Sequence, residues 1–242
     1  MTLNNLITVN NPKSPISEAY RVIRTNLQFT SLDNPLKVIM VTSSIPGEGK
    51  STTVTNLAVT FAQTGSRVLI VDADLRKPRL HKLFHITNKR GLTGAIMQLD
   101  KVSEFIQDTG IENLSIMTSG TIPPNPSELL GSKKMKNLIE KLKTLYDFVI
   151  IDSPPVGVIT DAQLLATLSD GVLIVAASAE VTNEALNHSK QLLENVNAKI
   201  IGIILNKLER ESNGYYYYNY YAAYEDEPIT AKKKKRVKRK KG

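Results

Sequence analysis

Five short apolar runs punctuate the chain: VIMVT (38–42), VLIVD (68–72), FVIID (148–152), VLIVA (172–176) and IIGIILN (200–206). Each is β-branched and shows no alternation of apolar and polar positions, the pattern of a parallel strand covered on both faces. NLSIMTSG (113–120) is a candidate sixth strand. Between the runs, apolar residues recur at helical spacing over 51–63, 134–145, 162–168 and 183–196. A further helix is predicted over 14–29, with Pro15 and Ser17 as its starting residues and Tyr20, Ile23 and Leu27 as its apolar stripe. Strands alternating with helices predict an α/β fold, a doubly wound and mostly parallel sheet in a single domain. In such sheets a ligand sits beyond the carboxyl ends of the strands.

Charge and tyrosine are distributed unevenly enough to change this picture. The 242 residues carry a net charge of +8, but positions 232–241 hold nine basic residues in ten. Without them 22 Lys and Arg face 23 Asp and Glu, so the body is near neutral and the cationic excess is a terminal handle. This points away from a nucleic-acid-binding domain. Seven of the nine tyrosines fall between Tyr215 and Tyr224, followed by Glu225, Asp226, Glu227 and Pro228. No core strand reads this way, so the stretch is expected to be a flexible, exposed tail. The cysteine count is zero, which removes disulfides, thiol nucleophiles, Cys-ligated zinc and iron–sulfur clusters. Three scattered histidines make a poor metal site. No apolar run approaches a membrane span, and the polar start lacks a signal-peptide core. The expected location is the cytosol, with attachment to the membrane from its inner face.

Every candidate for chemistry lies at a predicted strand end. After the first run comes SSIPGEGKSTT (43–53), a phosphate-binding loop closed by Gly49, Lys50 and Ser51. Phosphate oxygens must approach backbone N–H groups closely, which suits Pro46, Gly47, Glu48, Gly49 and Thr52 as the loop's cradle. Lys50 can reach the β- and γ-phosphates of ATP, and the Ser51 hydroxyl can ligate Mg²⁺. Serine, Ser44, stands where the strict motif begins with glycine. Asp72 and Asp74 end the second run, where two carboxylates repel unless a cation such as Mg²⁺ lies near. Arg76 is a candidate phosphate contact. Asp152 ends FVIID, the position of a carboxylate that orients the metal shell. Asn206 ends the last run, where a contact to the nucleotide base and an ordinary strand-terminating role are equally open. Asp74 is a candidate for meeting an acceptor hydroxyl, as a weak base or within the metal shell.

Together these motifs resemble the bacterial tyrosine kinases of capsule and exopolysaccharide systems, over about residues 14–224. SSIPGEGKST is similar to that family's Walker A, VLIVDADLR to its Walker A′ and FVIIDSPP to its Walker B. EAYRVIR resembles its subunit-contact motif, supplied by Glu18, Arg21 and Arg24. Tyr215, Tyr216, Tyr217, Tyr218, Tyr220, Tyr221 and Tyr224 resemble its autophosphorylated cluster. The resemblance implies a P-loop NTPase fold with Lys50, Asp72, Asp74 and Asp152 at the catalytic centre. It also implies a ring-like homo-oligomer in which one subunit's tail enters its neighbour's site. A transmembrane adaptor of the polysaccharide chain-length type, on a separate chain, and a cognate tyrosine phosphatase are the implied partners. On this reading 1–16 is flexible, 17–212 is the kinase domain with 17–29 as its contact helix, 213–227 is the tyrosine cluster and 228–242 a polybasic tail. The basic end is outside the family pattern; an anionic membrane surface is its candidate partner. Two rivals use the same loop without modifying tyrosine: a MinD/ParA-like positioning ATPase and an ATP-binding scaffold of a membrane polysaccharide complex. Positioning ATPases carry a second lysine five residues before the loop lysine, and here that residue is Ile45.

Overall fold

The computed structural model describes residues 6–30 and 35–208. In chain order these form α1 (Ile7–Asn10), α2 (Pro15–Thr30), β1 (Val38–Ser43), α3 (Lys50–Ala62), β2 (Val68–Asp72), α4 (Leu80–Leu83) and α5 (Leu92–Met97). A 3₁₀ segment (Leu99–Phe105) leads to β3 (Gln107–Ile111), β4 (Leu114–Met117), α6 (Pro126–Leu130), α7 (Lys133–Leu145) and β5 (Phe148–Asp152). The described chain ends with α8 (Asp161–Ala166), β6 (Gly171–Ala177), α9 (Asn183–Glu194) and β7 (Ile200–Asn206). The seven strands lie in the order β3-β4-β2-β5-β1-β6-β7, and every neighbouring pair is parallel except β3 with β4.

The unbroken apolar runs have a direct cause. Along β1, Val38 and Met40 face one core, shared with α5, α7 and α8. Ile39 and Val41 face the other, shared with α2 and α3. Because side chains alternate across a strand, a strand covered on both faces needs an apolar residue at every position. All positions of β1, β2 and β6 are buried.

Three sequence expectations are corrected. The run over 200–206 is a strand, but among the described residues it lies at the sheet edge and pairs with β6 alone, with Ile203 52% and Leu205 55% exposed and no cover on one face. The candidate strand over 113–120 shrinks to β4 and gains an antiparallel partner, β3, whose sequence QDTGI carries no apolar run. Finally, the segment read as flexible is ordered from Leu6 onward. Leu6 is buried, and Thr8 donates through both its N–H (3.1 Å) and its Oγ1 (2.9 Å) to Asn56 Oδ1 on α3. Ser17 Oγ lies in hydrogen-bonding distance of the Asn11 carbonyl at 2.7 Å, closing α1 onto α2. The tyrosine and basic segments, 213–242, lie outside the described residues.

Helix α2 packs on α3 through Tyr20 and Leu27, with Ile23 partly buried beside them. The Tyr20 hydroxyl also approaches Thr53, two residues beyond Ser51. α2 is thereby seated directly on the helix that carries the phosphate-binding loop.

Candidate active site

The order β2-β5-β1 places three motifs side by side at the carboxyl ends of the sheet. β1 runs into the loop over 43–50, and α3 begins at Lys50. Gly47 and Gly49 both adopt positive φ, +94° and +91°, a conformation other residues enter only with strain. Gly49 has a second constraint: a Cβ there would lie 2.1 Å from Asn206 Nδ2. Pro46, Gly47 and Thr52 are exposed along the loop.

Glu48 turns the other way. Its carboxylate is buried and accepts from Ile45 N–H (2.8 Å) and from Ala177 N–H at the end of β6 (3.0 Å). Asn206 Nδ2 donates to the Glu48 carbonyl at 2.8 Å. The Glu48 side chain therefore clamps the loop to the sheet, while its backbone remains part of the loop. Asn206 supports the loop from beneath through its amide nitrogen.

Asp72 and Asp152 are register partners on adjacent parallel strands, and both are buried, at 0% and 1% exposure. Asp152 Oδ1 accepts from Lys50 Nζ at 3.1 Å, and its Oδ2 from Ser51 Oγ at 2.5 Å. Asp72 Oδ2 accepts from Leu80 N–H at 3.1 Å. Its Oδ1 is buried and has no hydrogen-bond partner among the described residues. Burial, reinforced by the neighbouring Asp152, pushes the Asp72 carboxyl up to about 8. Burial likewise raises Asp152, against the opposing pull of Lys50 and Ser51. Two buried carboxylates side by side with one lysine between them form a site short of positive charge.

Asp74 is half-buried, and its Oδ1 accepts from Lys77 N–H at 2.9 Å. Arg76 is engaged by Asp161 and Ser127. Its Nε donates to Asp161 Oδ2 (2.8 Å), and its Nη2 to Asp161 Oδ1 (3.1 Å) and Ser127 Oγ (3.0 Å). Ser127 Oγ donates in turn to Asp161 Oδ1 at 2.6 Å. Burial would raise Asp161, but the bonds from Arg76 and Ser127 outweigh it and hold the carboxyl below its usual range. Asp161 and Ser127 were not singled out in the sequence; a lone Asp at a helix start offers no signal of a partner 85 positions away.

The donor set suits a hard divalent cation. The unpartnered Asp72 Oδ1, the Asp152 carboxylate and the Ser51 hydroxyl are all oxygen ligands. Among the described residues no three His, Cys, Asp or Glu side chains converge to hold an ion by themselves. Mg²⁺ is usually held by one or two carboxylates plus substrate phosphates. A separate cavity of about 700 Å³ opens at the amino ends of β2 and β4, lined in part by Arg67, Asn113 and Tyr146. It contains none of the motif residues.

The candidate subunit-contact residues divide. Glu18 and Arg21, both half-buried, pair with each other at 2.8 Å, and Arg21 Nη2 also donates to the Pro12 carbonyl at 2.7 Å, whereas Arg24 Nη1 donates to the Thr60 carbonyl at 2.9 Å.

Residues 36–207 match the AAA domain family. The tyrosine-protein kinase YwqD of Bacillus subtilis (strain 168) is 45% identical over 214 residues, covering 87% of this chain and 90% of its own length. The crystal structure of the chimerical protein CapA2B2 superposes with a TM-score of 0.81 at 43% identity, covering 86% of this chain and 92% of the other. The kinase domain of the Escherichia coli tyrosine kinase ETK does so with a TM-score of 0.81 at 35% identity, covering 86% and 82%. The fold is thus that of the nucleotide-binding P-loop proteins.

Proposed function

The chain belongs to the bacterial tyrosine-protein kinases, and from that premise we propose that it transfers the γ-phosphoryl group of ATP to tyrosines 215–224 of a neighbouring subunit. The observation that carries this reading is the convergence of Lys50 and Ser51 on Asp152, beside the unpartnered oxygen of Asp72. The MinD/ParA-like reading is set aside, because relatives alike over most of both chains are tyrosine kinases.

Phosphoryl transfer has a loose transition state, so positioning and charge neutralisation dominate. The amides of 46–50 and the amino end of α3 bind the phosphates. Lys50 moves from Asp152 to the β- and γ-phosphate oxygens. Ser51, Asp152 and Asp72 would hold Mg²⁺, which would neutralise charge on the phosphates. Asp74, whose Oδ1 is fixed by Lys77, is positioned by the β2 end to accept the hydroxyl proton of the incoming tyrosine. The tyrosine oxygen forms the new bond to phosphorus as the bond to the ADP oxygen breaks.

The subunits are proposed to assemble into a ring through α2, with Glu18 and Arg21 as contact residues. An activating adaptor of the polysaccharide chain-length type and a tyrosine phosphatase complete a system controlling capsular or extracellular polysaccharide. Among the described residues no helix is long and apolar enough to cross a membrane. We assign recruitment to the inner membrane face to residues 232–241, since each cation near an anionic leaflet contributes about 1 kcal/mol. Each phosphate added to the tyrosines contributes about −1.5 to −2 charge, so modification opposes this attraction. Phosphorylated protein is expected to bind anionic vesicles more weakly than unphosphorylated protein; equal binding removes the membrane role.

Purified protein incubated with Mg-ATP, with and without the adaptor's cytoplasmic end, tests the main reading. Phosphotyrosine mapping to 215–224 is expected. Hydrolysis of ATP without phosphotyrosine under either condition would favour the scaffold.

A further inference from the structure

The segment that follows β2 has a charge the rest of the body lacks. Residues 75–99 contain six Lys and Arg and no Asp or Glu, in a body whose net charge without 232–241 is −1. Lys77, Arg79, Lys82, Lys89 and Arg90 are all exposed. None of the five has a carboxylate within ion-pair distance among the described residues. Uncompensated cations of one sign repel each other, and only a partner or solvent offsets that cost.

The backbone of this segment is pinned at the catalytic end of the sheet. Leu80 N–H donates to Asp72 Oδ2 and Lys77 N–H to Asp74 Oδ1, so α4 begins on the acidic strand end itself. Further along, Asn88 Nδ2 donates to the Gly120 carbonyl at 3.1 Å, and Thr118 Oγ1 to the Arg90 carbonyl at 2.9 Å. The side chains are therefore displayed from a fixed track across the carboxyl ends of β2 and β4, beside the proposed site of transfer.

We propose that this basic track is the docking surface for the acidic acceptor segment, Tyr215–Glu227, of a second copy of the chain. The proposal rests on the kinase reading above and adds the recognition element it lacks. Tyr215–Glu227 carries no Lys or Arg and ends in Glu225, Asp226 and Glu227, so its charge is −3. Four uncharged residues separate Glu227 from the cationic run, up to roughly 17 Å of extended chain, beyond the ~8 Å over which salt screens. The acidic end can therefore seat on the track while the cations stay clear of it. Each phosphate placed on the segment increases the attraction, so a partly modified tail remains engaged.

The test uses the full chain, a peptide of sequence 215–227 and a charge swap. In the double variant Arg79→Glu, Lys82→Glu the KM for peptide phosphorylation is expected to rise roughly tenfold, with the KM for ATP and kcat unchanged. A peptide with Lys at 225, 226 and 227 is expected to be a poor acceptor for the unaltered chain and a better one for the double variant. Arg79→Gln, Lys82→Gln gives a smaller rise without introducing new charge. Fluorescence anisotropy of the labelled peptide, read without ATP on the same proteins, reports docking whether or not transfer occurs. An unaltered chain that makes no phosphotyrosine yet binds the peptide through these residues would refute the kinase reading and keep the surface. Unchanged peptide KM and affinity in the double variant, a defect the Lys peptide does not relieve, or weakened binding to anionic vesicles with peptide binding intact would each overturn the proposal.

Discussion

Lys50→Met is expected to lower phosphotyrosine formation by about 10²–10³-fold while leaving a folded chain. The side chain is nearly buried, and its ammonium sits 3.1 Å from Asp152 Oδ1. Removing one partner of a buried ion pair normally leaves a costly lone charge. Here the remaining carboxyl has an alternative: burial already raises the affinity of Asp152 for a proton, and Ser51 still donates to it. The variant can thus neutralise the site by protonation, and its thermal midpoint should stay close to that of the unaltered chain. Methionine cannot supply positive charge to the β- and γ-phosphates, so the loss falls on transfer. Phosphotyrosine blotting and a thermal melt on the same preparation separate the two effects.

Asp72→Asn is expected to separate stability from function in the opposite sense. Asp72 and Asp152 lie side by side on adjacent strands, and one Asp72 oxygen has no partner among the described residues. Its carboxyl ionises near 3.8 in a free chain and is pushed up to about 8 in the fold. Between those values the folded chain holds a proton that the unfolded chain has released, so stability falls as pH rises. The contribution is fully present below the unfolded value and is lost as pH climbs through about 8. Asparagine has nearly the same shape and no charge to bury. The variant should therefore lose most of the decline in thermal midpoint between pH 5 and 8 and be more stable than the unaltered chain at pH 8, without nucleotide. Phosphotyrosine formation should drop by about a hundredfold or more, because an oxygen ligand of Mg²⁺ is gone. Mg-ADP should stabilise the unaltered chain more than the variant. Full transfer activity in Asp72→Asn, or an unchanged pH slope, would contradict this account of the acidic strand ends.

The parts of the molecule that were legible in the sequence are those whose cause is local. β1, β2 and β5 are apolar runs because both sheet faces are covered; β2 and β5 end with their runs, at Asp72 and Asp152, and β1 continues one residue past its run to Ser43. Gly49, Lys50 and Ser51 are adjacent in sequence and act together in the fold. What sequence could not supply was lateral order. That β5 lies between β2 and β1, and so sets Asp152 beside Asp72, is a property of the sheet. The same limit hid the clamp made by Glu48, whose partner Ala177 is 129 positions away. It also hid the bond from Arg76 to Asp161, which braces the β2 loop against α8. β7 was misjudged for another reason. Its apolar composition fits a buried strand, and only its place at the edge exposes Ile203 and Leu205. β3 has the converse problem, since a polar segment containing a glycine becomes a strand by pairing with β4.

The most direct measurement mixes two full-length chains, neither of which can label itself. One carries Lys50→Met and keeps its tyrosines; the other keeps Lys50 and carries Phe at 215, 216, 217, 218, 220, 221 and 224. With γ-labelled ATP and Mg²⁺, label is predicted on tyrosines 215–224 of the Lys50→Met chain only when the second chain is present. Label on the Lys50→Met chain alone, or none in the mixture from a protein that labels itself when unaltered, would contradict transfer between neighbouring subunits.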